Sequence, residues 1–309
     1  MNWLDHTKFL FVSPDQVDLE DDTYLVPAFS HPDLTESVRH IGILNPPLIQ
    51  ESEDGRLIPV LGRRRLRAAR AAAISRVKVG VISSGMPVAD GFRFAFWDNI
   101  HHRRMDPATT AVLVKKLLDV FPRKTAAEEF LPALGLRTSG FRLERLRRIG
   151  ELESALLERL AEGRILEKTA AILVELTSEE RRELVQFTER LGLNANKKAE
   201  VIGHLFDLSI LRSRPVLEFL RDDAALAIME SDIPIPEQAS RFRNHVRSLT
   251  FPELVHREVQ FNHWLRSLKL PHEISLSPAP AFETGGCTIE IRADSLDEAE
   301  RIVAKITHA

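Results

Sequence analysis

The stretch Val60-Leu61-Gly62-Arg63-Arg64-Arg65-Leu66-Arg67 sets a glycine between an apolar run and a helix-forming run rich in arginine. Gly62 lets the backbone turn sharply. A helix that starts just after it presents unpaired N–H groups and the positive end of its dipole. Arginines in that first turn add permanently charged forks whose geometry matches phosphate. Such a turn suits a phosphorylated ligand. It is not a P-loop, because GxxxxGK[ST] occurs nowhere in the 309 residues. A solvated arginine face is the plainer alternative. Against it, Leu61 to Gly80 holds six arginines and one lysine and no acid.

A second basic block follows, with eleven Lys/Arg against five Asp/Glu between His101 and Gly150. It holds two short helical runs separated by Gly135, the spacing of a helix-turn-helix. Thr125 is expected to cap the first helix, Gly135 to close it, and Thr138 and Ser139 to begin the second. Lys124, Arg137, Arg142, Arg145 and Arg148 are then available for phosphates, with arginine or Ser/Thr for base edges. Pro132 falls late in the first helix, where it removes a hydrogen bond and favours a kink. An ordinary corner of a helical bundle is the competing reading.

The surrounding elements are legible from punctuation. Pro46-Pro47 and Asp54-Gly55 bound two apolar runs that read as a hairpin, and the run from Val77 reads as another strand. Leu34, Val38 and Ile41 share one helical face that Gly42 ends. Phe92, Phe94 and Phe96 alternate and read as a strand packed under the arginine helix. Residues 1–30 read as an edge hairpin or strand with acidic turns. Beyond Phe94 the pattern is helical until a closing strand and a helix capped by Ser295 and Glu298. The segments IPIPEQ and SLSPAPAFE read as linkers.

A net charge of −3, 44% hydrophobic content and no run of about 20 apolar residues imply a soluble, cytoplasmic chain of two or three domains, with no membrane partner. The single cysteine, Cys287, precludes an internal disulfide or a cysteine metal cage and is expected to be buried. The histidines lack an HExxH arrangement and read as surface or core residues. The expected class is α+β: a small N-terminal α/β domain (1–98), a central helical domain (99–232) and a C-terminal segment (233–309) ending in a strand and a helix.

Three segments in order carry a family resemblance: Gly42-Ile43-Leu44-Asn45-Pro46, Gly62-Arg63-Arg64-Arg65-Leu66-Arg67-Ala68, and Asp98-Asn99-Ile100-His101-His102. They resemble the GxLxQP, GERRxRA and ENxxR motifs of the ParB partition proteins, whose N-terminal domain has the ParB/sulfiredoxin-like fold. The resemblance implies DNA binding through the central helices and a homodimer through the C-terminal region. It also implies a CTP and Mg2+ site in the N-terminal domain that gates a clamp on DNA, a nucleoid location and a partition ATPase as a partner. Position by position, Gly62, Arg64 and Arg65 would cradle the triphosphate, with Arg63, Arg67, Asn45 and His102 at neighbouring motif positions. Asn99 would support nucleotide and metal. Asp98 takes the place of the family's magnesium-linked Glu, the catalytic and metal position.

The departures are specific. Arg63 stands where the family has Glu, Asn45 where it has Gln, His102 where it has Arg, and Asp98 is a carboxylate shorter by about 1.5 Å. Slow CTP hydrolysis, or a module that has lost nucleotide binding, both remain open. An alternative from another class is a ParB-like metal-dependent nuclease. The sulfiredoxin branch is excluded, since Arg63 occupies the position of its essential cysteine.

Overall fold

A computed structural model describes residues 3–27, 29, 33–100, 105–136, 140–268, 270–297, 299–300 and 304. The chain forms two compact units, one of residues 1–177 with 194–199 and one of residues 178–193 with 200–309. The class is α+β.

In the first unit, β1 (Lys8–Val12), then α1 (Thr35–Ile41), β2 (Leu48–Glu51), β3 (Leu57–Leu61), α2 (Arg63–Ala71) and β4 (Val77–Ile82) build a four-stranded sheet of order β1-β4-β2-β3. β2 and β3 form the expected hairpin, closed where Gly55 takes φ 82° and Ser52 N–H donates to Arg56 O at 2.8 Å. β4 runs parallel to β2. β1 is an edge strand as the opening residues suggest, but it pairs antiparallel with β4 rather than within a local hairpin. One sheet face packs on α2 through Val12, Ile49, Val77, Val79, Leu66 and Ala69. In α1 only Val38 is buried, while Ile41 is exposed.

The other face carries α3 (Val88–Ile100), which corrects the strand expected over Phe92–Phe96. Phe92, Ala95 and Phe96 recur at helical spacing and are all buried, so the alternating phenylalanines conceal an i, i+3, i+4 stripe. The stripe packs with Ile58, Val60 and Ile82 of the sheet, and with Leu113, Leu117 and Phe130 beyond it. Sheet and first helical layer therefore share one core. Gly91 permits a close approach in that core: a Cβ there would lie 2.5 Å from the Tyr24 ring.

α4 (Pro107–Val120) is capped by Asp106, whose carboxylate accepts from Thr109 N–H at 2.9 Å. α5 (Arg123–Thr125) runs into a π-helical segment, Ala126–Phe130, with Leu131 N–H bonded to Ala126 O. Pro132 thus lies in the turn just past the helix instead of kinking its interior, and Gly135 turns the chain with φ 67°. The unit continues with α6 (Gly140–Ile149), α7 (Ser154–Ala161) and α8 (Glu167–Leu173).

The second unit is built from α9 (Ser178–Arg190), most of α10 (Ala195–Arg212), α11 (Asp223–Glu230), α12 (Ile235–Thr250) and α13 (Pro252–Ser267). Phe242 of α12 is fully buried with its ring 4.7 Å from that of Phe187. The IPIP segment begins α12 instead of forming a linker, consistent with proline's tolerance at the first helical turn. SLSP belongs to β5 (Ile274–Pro278), which pairs antiparallel with β6 (Cys287–Ile291). This two-stranded sheet leaves Cys287 exposed, against the expectation of burial. Ser295 precedes a helical stretch, but its expected capping partner Glu298 lies outside the described residues. Among the described residues, no helix is long and apolar enough to cross a membrane.

Candidate nucleotide pocket and nucleic-acid face

β3 delivers Gly62 in the left-handed region (φ 78°), and α2 starts at the next residue with no side chain capping it. A cavity of about 570 Å³ opens at this helix N-terminus. It is lined by Gly62, Arg63, Arg64, Arg65 and Arg67, and by Asp98 and Asn99 from the last turn of α3. The remaining wall is Tyr24, Leu25, Val26, Pro27, Phe29, Leu34, Pro59 and Val60. Seven of the nine expected nucleotide-site residues therefore line one cavity. Asn45 is not a lining residue; its carbonyl accepts from Arg65 Nη1. His102 lies outside the described residues.

The arginines divide by what holds them. Arg65 is partly buried, which pushes its pKa down, while the nearby Asp98 carboxylate pushes it up. Arg63 is only 8% exposed, with Nη1 donating to Leu19 O at 2.5 Å and Nη2 to Asp21 O. Burial depresses its pKa, and Asp21 opposes that depression. Arg67 donates to Leu19 O at 3.2 Å and lies 3.7 Å from Glu20. Arg70 donates to Pro14 O and Val17 O and pairs with Asp15 at 3.3 Å. The absence of local acids thus misleads: the acidic opening segment folds over α2 and supplies the partners. Lys116 of α4 donates to Asp22 O and fastens the same segment from the helical side.

Residues 24–27 and 29 form a wall that no motif in the sequence marks. It is positioned by Tyr24, whose hydroxyl donates to Gln50 Oε1, while Gln50 Nε2 donates to Met86 O at 2.8 Å. Burial raises the Tyr24 pKa to about 12, with Asp21 adding to the shift. The only available signal was the residue class Tyr-Leu-Val-Pro-Ala-Phe, apolar beside an acidic run.

The pocket chemistry suits a polyphosphate. The uncapped helix N-terminus and the arginine charges favour an anion, and the apolar wall offers contact for a ring. A hard divalent cation fits as a companion, since Mg2+ is held by one or two carboxylates plus substrate phosphates, and Asp98 is the carboxylate lining the cavity. Asn99 has its Nδ2 committed to Ala95 O at 2.7 Å, leaving Oδ1 as its remaining polar atom. Among the described residues, no three His, Cys, Asp or Glu side chains gather into a metal site of their own.

Of the candidate DNA contacts, Arg137, Thr138 and Ser139 lie outside the described residues. Lys124 is exposed. Thr125 sits inside the helical run, half-buried, with no side-chain capping bond, so Pro122 and not Thr125 precedes the first helix. Arg142 is exposed at the start of α6. Arg145 lies 3.7 Å from Glu167, and Arg148 donates to Glu175 at 3.1 Å and to Val174 O at 3.0 Å. Those two arginines engage groups in and after α8. Two exposed residues complete the N-terminal end of α6: Arg123, which donates to Gly140 O at 3.4 Å, and Phe141.

Fold and site together define an α+β protein with a candidate anion pocket beside a basic two-helix segment. No family model and no curated protein matches the chain. Solved structures do. The C-terminally truncated chromosome-partitioning protein ParB from Caulobacter crescentus complexed with CTP-gamma-S is 19% identical, covers 58% of this chain and 97% of that chain, and gives a TM-score of 0.27. The same truncated protein complexed to the centromeric parS site is 17% identical over 62% of this chain and 96% of that chain, with a TM-score of 0.32. A Pnob8-like ParB-N domain is 15% identical over 79% of this chain and 98% of that chain, with a TM-score of 0.37.

Proposed function

We propose that this chain is a ParB-like DNA-binding partition protein whose N-terminal pocket takes CTP with Mg2+ and gates a clamp on DNA. It serves chromosome or plasmid segregation or a related transcriptional role. The observation that carries the reading is the gathering of Gly62, Arg64, Arg65, Asp98 and Asn99, residues of two separate motifs, around one cavity. The α2 N-terminus and Arg64 and Arg65 hold the phosphates. Leu25, Val26 and Phe29 cover the nucleoside end. Asp98 and the Asn99 Oδ1 hold the cation, which neutralises phosphate charge when bound. The resemblance of segments 42–46, 62–68 and 98–102 to the ParB motifs supports the choice of nucleotide and of DNA.

Arg63 sets this chain apart. Its guanidinium is engaged by Leu19 and Asp21 carbonyls, so it replaces the family's carboxylate with a structural cation. Binding therefore survives its substitution for Glu better than hydrolysis does, and CTP turnover is slow. DNA is met by Lys124, Arg142 and the first turn of α6, with Arg145 and Arg148 secondary. Pairing between copies falls to residues 233–309.

The test is retention on DNA. With CTP and Mg2+, wild type remains on closed-circular DNA through a salt wash and runs off the same DNA linearised; Arg64→Ala shows no nucleotide-dependent retention. Equal retention with and without CTP, in both proteins, contradicts the reading. Magnesium-dependent nicking of the plasmid by wild type would favour the nuclease instead.

A further inference from the structure

Phe141 is the second residue of α6 and is 81% exposed, among the most open of the large apolar side chains described. Its helix neighbours turn inward: Leu143, Leu146 and Ile149 are buried and fix the rotation of α6. With that rotation set, Phe141, Arg142 and Glu144 face solvent. The Arg145 guanidinium lies over the ring, 5.9 Å from its centroid. Arg145 is in turn held by Glu167. The charge around this turn is positive. Arg123 reaches Gly140, Lys124 precedes the turn on the other helix, and the one acid on the exposed face, Glu144, is occupied by Arg147 at 2.7 Å.

At 81% exposure the Phe141 ring leaves most of its apolar surface open at the N-terminal turn of a basic helix, where covering it by a partner is favourable. In a helix-turn-helix, that turn is the part that reaches base edges in the major groove. The chemistry that fits there is the 5-methyl group of thymine, the one apolar feature of that groove, which an aromatic ring contacts.

We propose that Phe141 is a specificity-determining residue that reads thymine methyls, with Arg123, Lys124 and Arg142 seating the helix on the flanking phosphates. This rests on the DNA-binding reading above and names what that site selects. It separates two roles on one turn: the cations set affinity and salt dependence, and the ring sets base preference.

The experiment is selection by the full-length protein from a random 30-bp duplex library, followed by titration of the enriched duplex. The titration compares thymine with uracil, which lacks only the methyl group. Wild type enriches a thymine at a fixed position in each half-site, and uracil there weakens binding about fourfold per methyl lost. Phe141→Ala binds the thymine and uracil duplexes equally, with unchanged salt dependence, while Arg142→Ala lowers the salt slope by about one and keeps the thymine preference. The inference is overturned if wild type selects a sequence indifferent to uracil, or if Phe141→Ala keeps the discrimination. If wild type binds no duplex at all, the DNA-binding reading itself fails and this inference falls with it.

Discussion

Arg63 and Arg65 stand two residues apart on the first turn of α2, yet they do different things. Arg63 is spent on two carbonyls of the acidic segment, and Arg65 keeps company with Asn45 and Asp98 at the cavity. Truncating a charged donor that satisfies buried carbonyls costs about 1.5–3 kcal/mol. Arg63→Ala should therefore lower the unfolding free energy by about that amount, measured by urea titration, and Arg63→Glu should be worse, because a carboxylate would meet the same carbonyls. An Arg63→Glu protein as stable as wild type contradicts the assignment. Gly62→Ala places an L residue at φ 78° and a Cβ 2.8 Å from Arg65 Nη2. The strain costs about 1–2 kcal/mol, and Arg65 must leave its position, so nucleotide affinity falls along with stability. Tyr24 is the single tyrosine of the chain, which lets absorbance near 295 nm report it alone. Its ionisation is predicted at about 12, not at 10, because burial disfavours the phenolate. The unfolded chain ionises first, so stability holds below pH 10 and falls as pH rises from about 10 to about 12. A midpoint at 10 in the folded protein would show the ring to be solvated.

At the scale of elements, legibility followed the kind of signal. The β2–β3 hairpin, the strand at β4 and the start of α2 were readable because Pro46-Pro47, Asp54-Gly55 and Gly62 act on their immediate neighbours. α3 was not, because Phe92, Phe94 and Phe96 satisfy a period of two while burial follows 92, 95 and 96. The fastening of α2 by Asp15, Leu19, Glu20 and Asp21 joins residues more than 40 positions apart, and no local pattern encodes it. The pocket wall at residues 24–27 and 29 was not legible for the same reason, although the arginine and Asp98-Asn99 sides were legible as motifs. Pro132 shows the reverse case: its effect was expected inside a helix, and the chain instead widens to a π segment and stops just before it. Tyr24 and α3 are joined through Gly91. Gly91→Ala should force the ring aside, lowering stability by about 1–3 kcal/mol and weakening nucleotide binding by distorting the wall. A melting temperature unchanged from wild type would contradict the tight packing there.

For the whole molecule, the C-terminal elements expose what a lone chain normally hides. None of the described residues of α13 is buried, and Val259, Trp264 and Ile289 are all substantially exposed. A two-stranded sheet gains stability from further strands or a packed face. Two copies are therefore expected to pair through residues 233–309, giving twice the 35.0 kDa chain mass by light scattering, and Ile289→Lys to shift the population toward the single chain. A monomeric wild type at micromolar concentration would contradict that pairing. What the molecule does turns on the pocket. Its most direct test is isothermal titration calorimetry of the full chain with CTP, ATP and GTP in Mg2+, for wild type and for Arg64→Ala. A binding heat is expected with CTP alone, and Arg64→Ala loses it while its fold is retained by circular dichroism. No heat with any of the three nucleotides, or equal heats in wild type and variant, would contradict it.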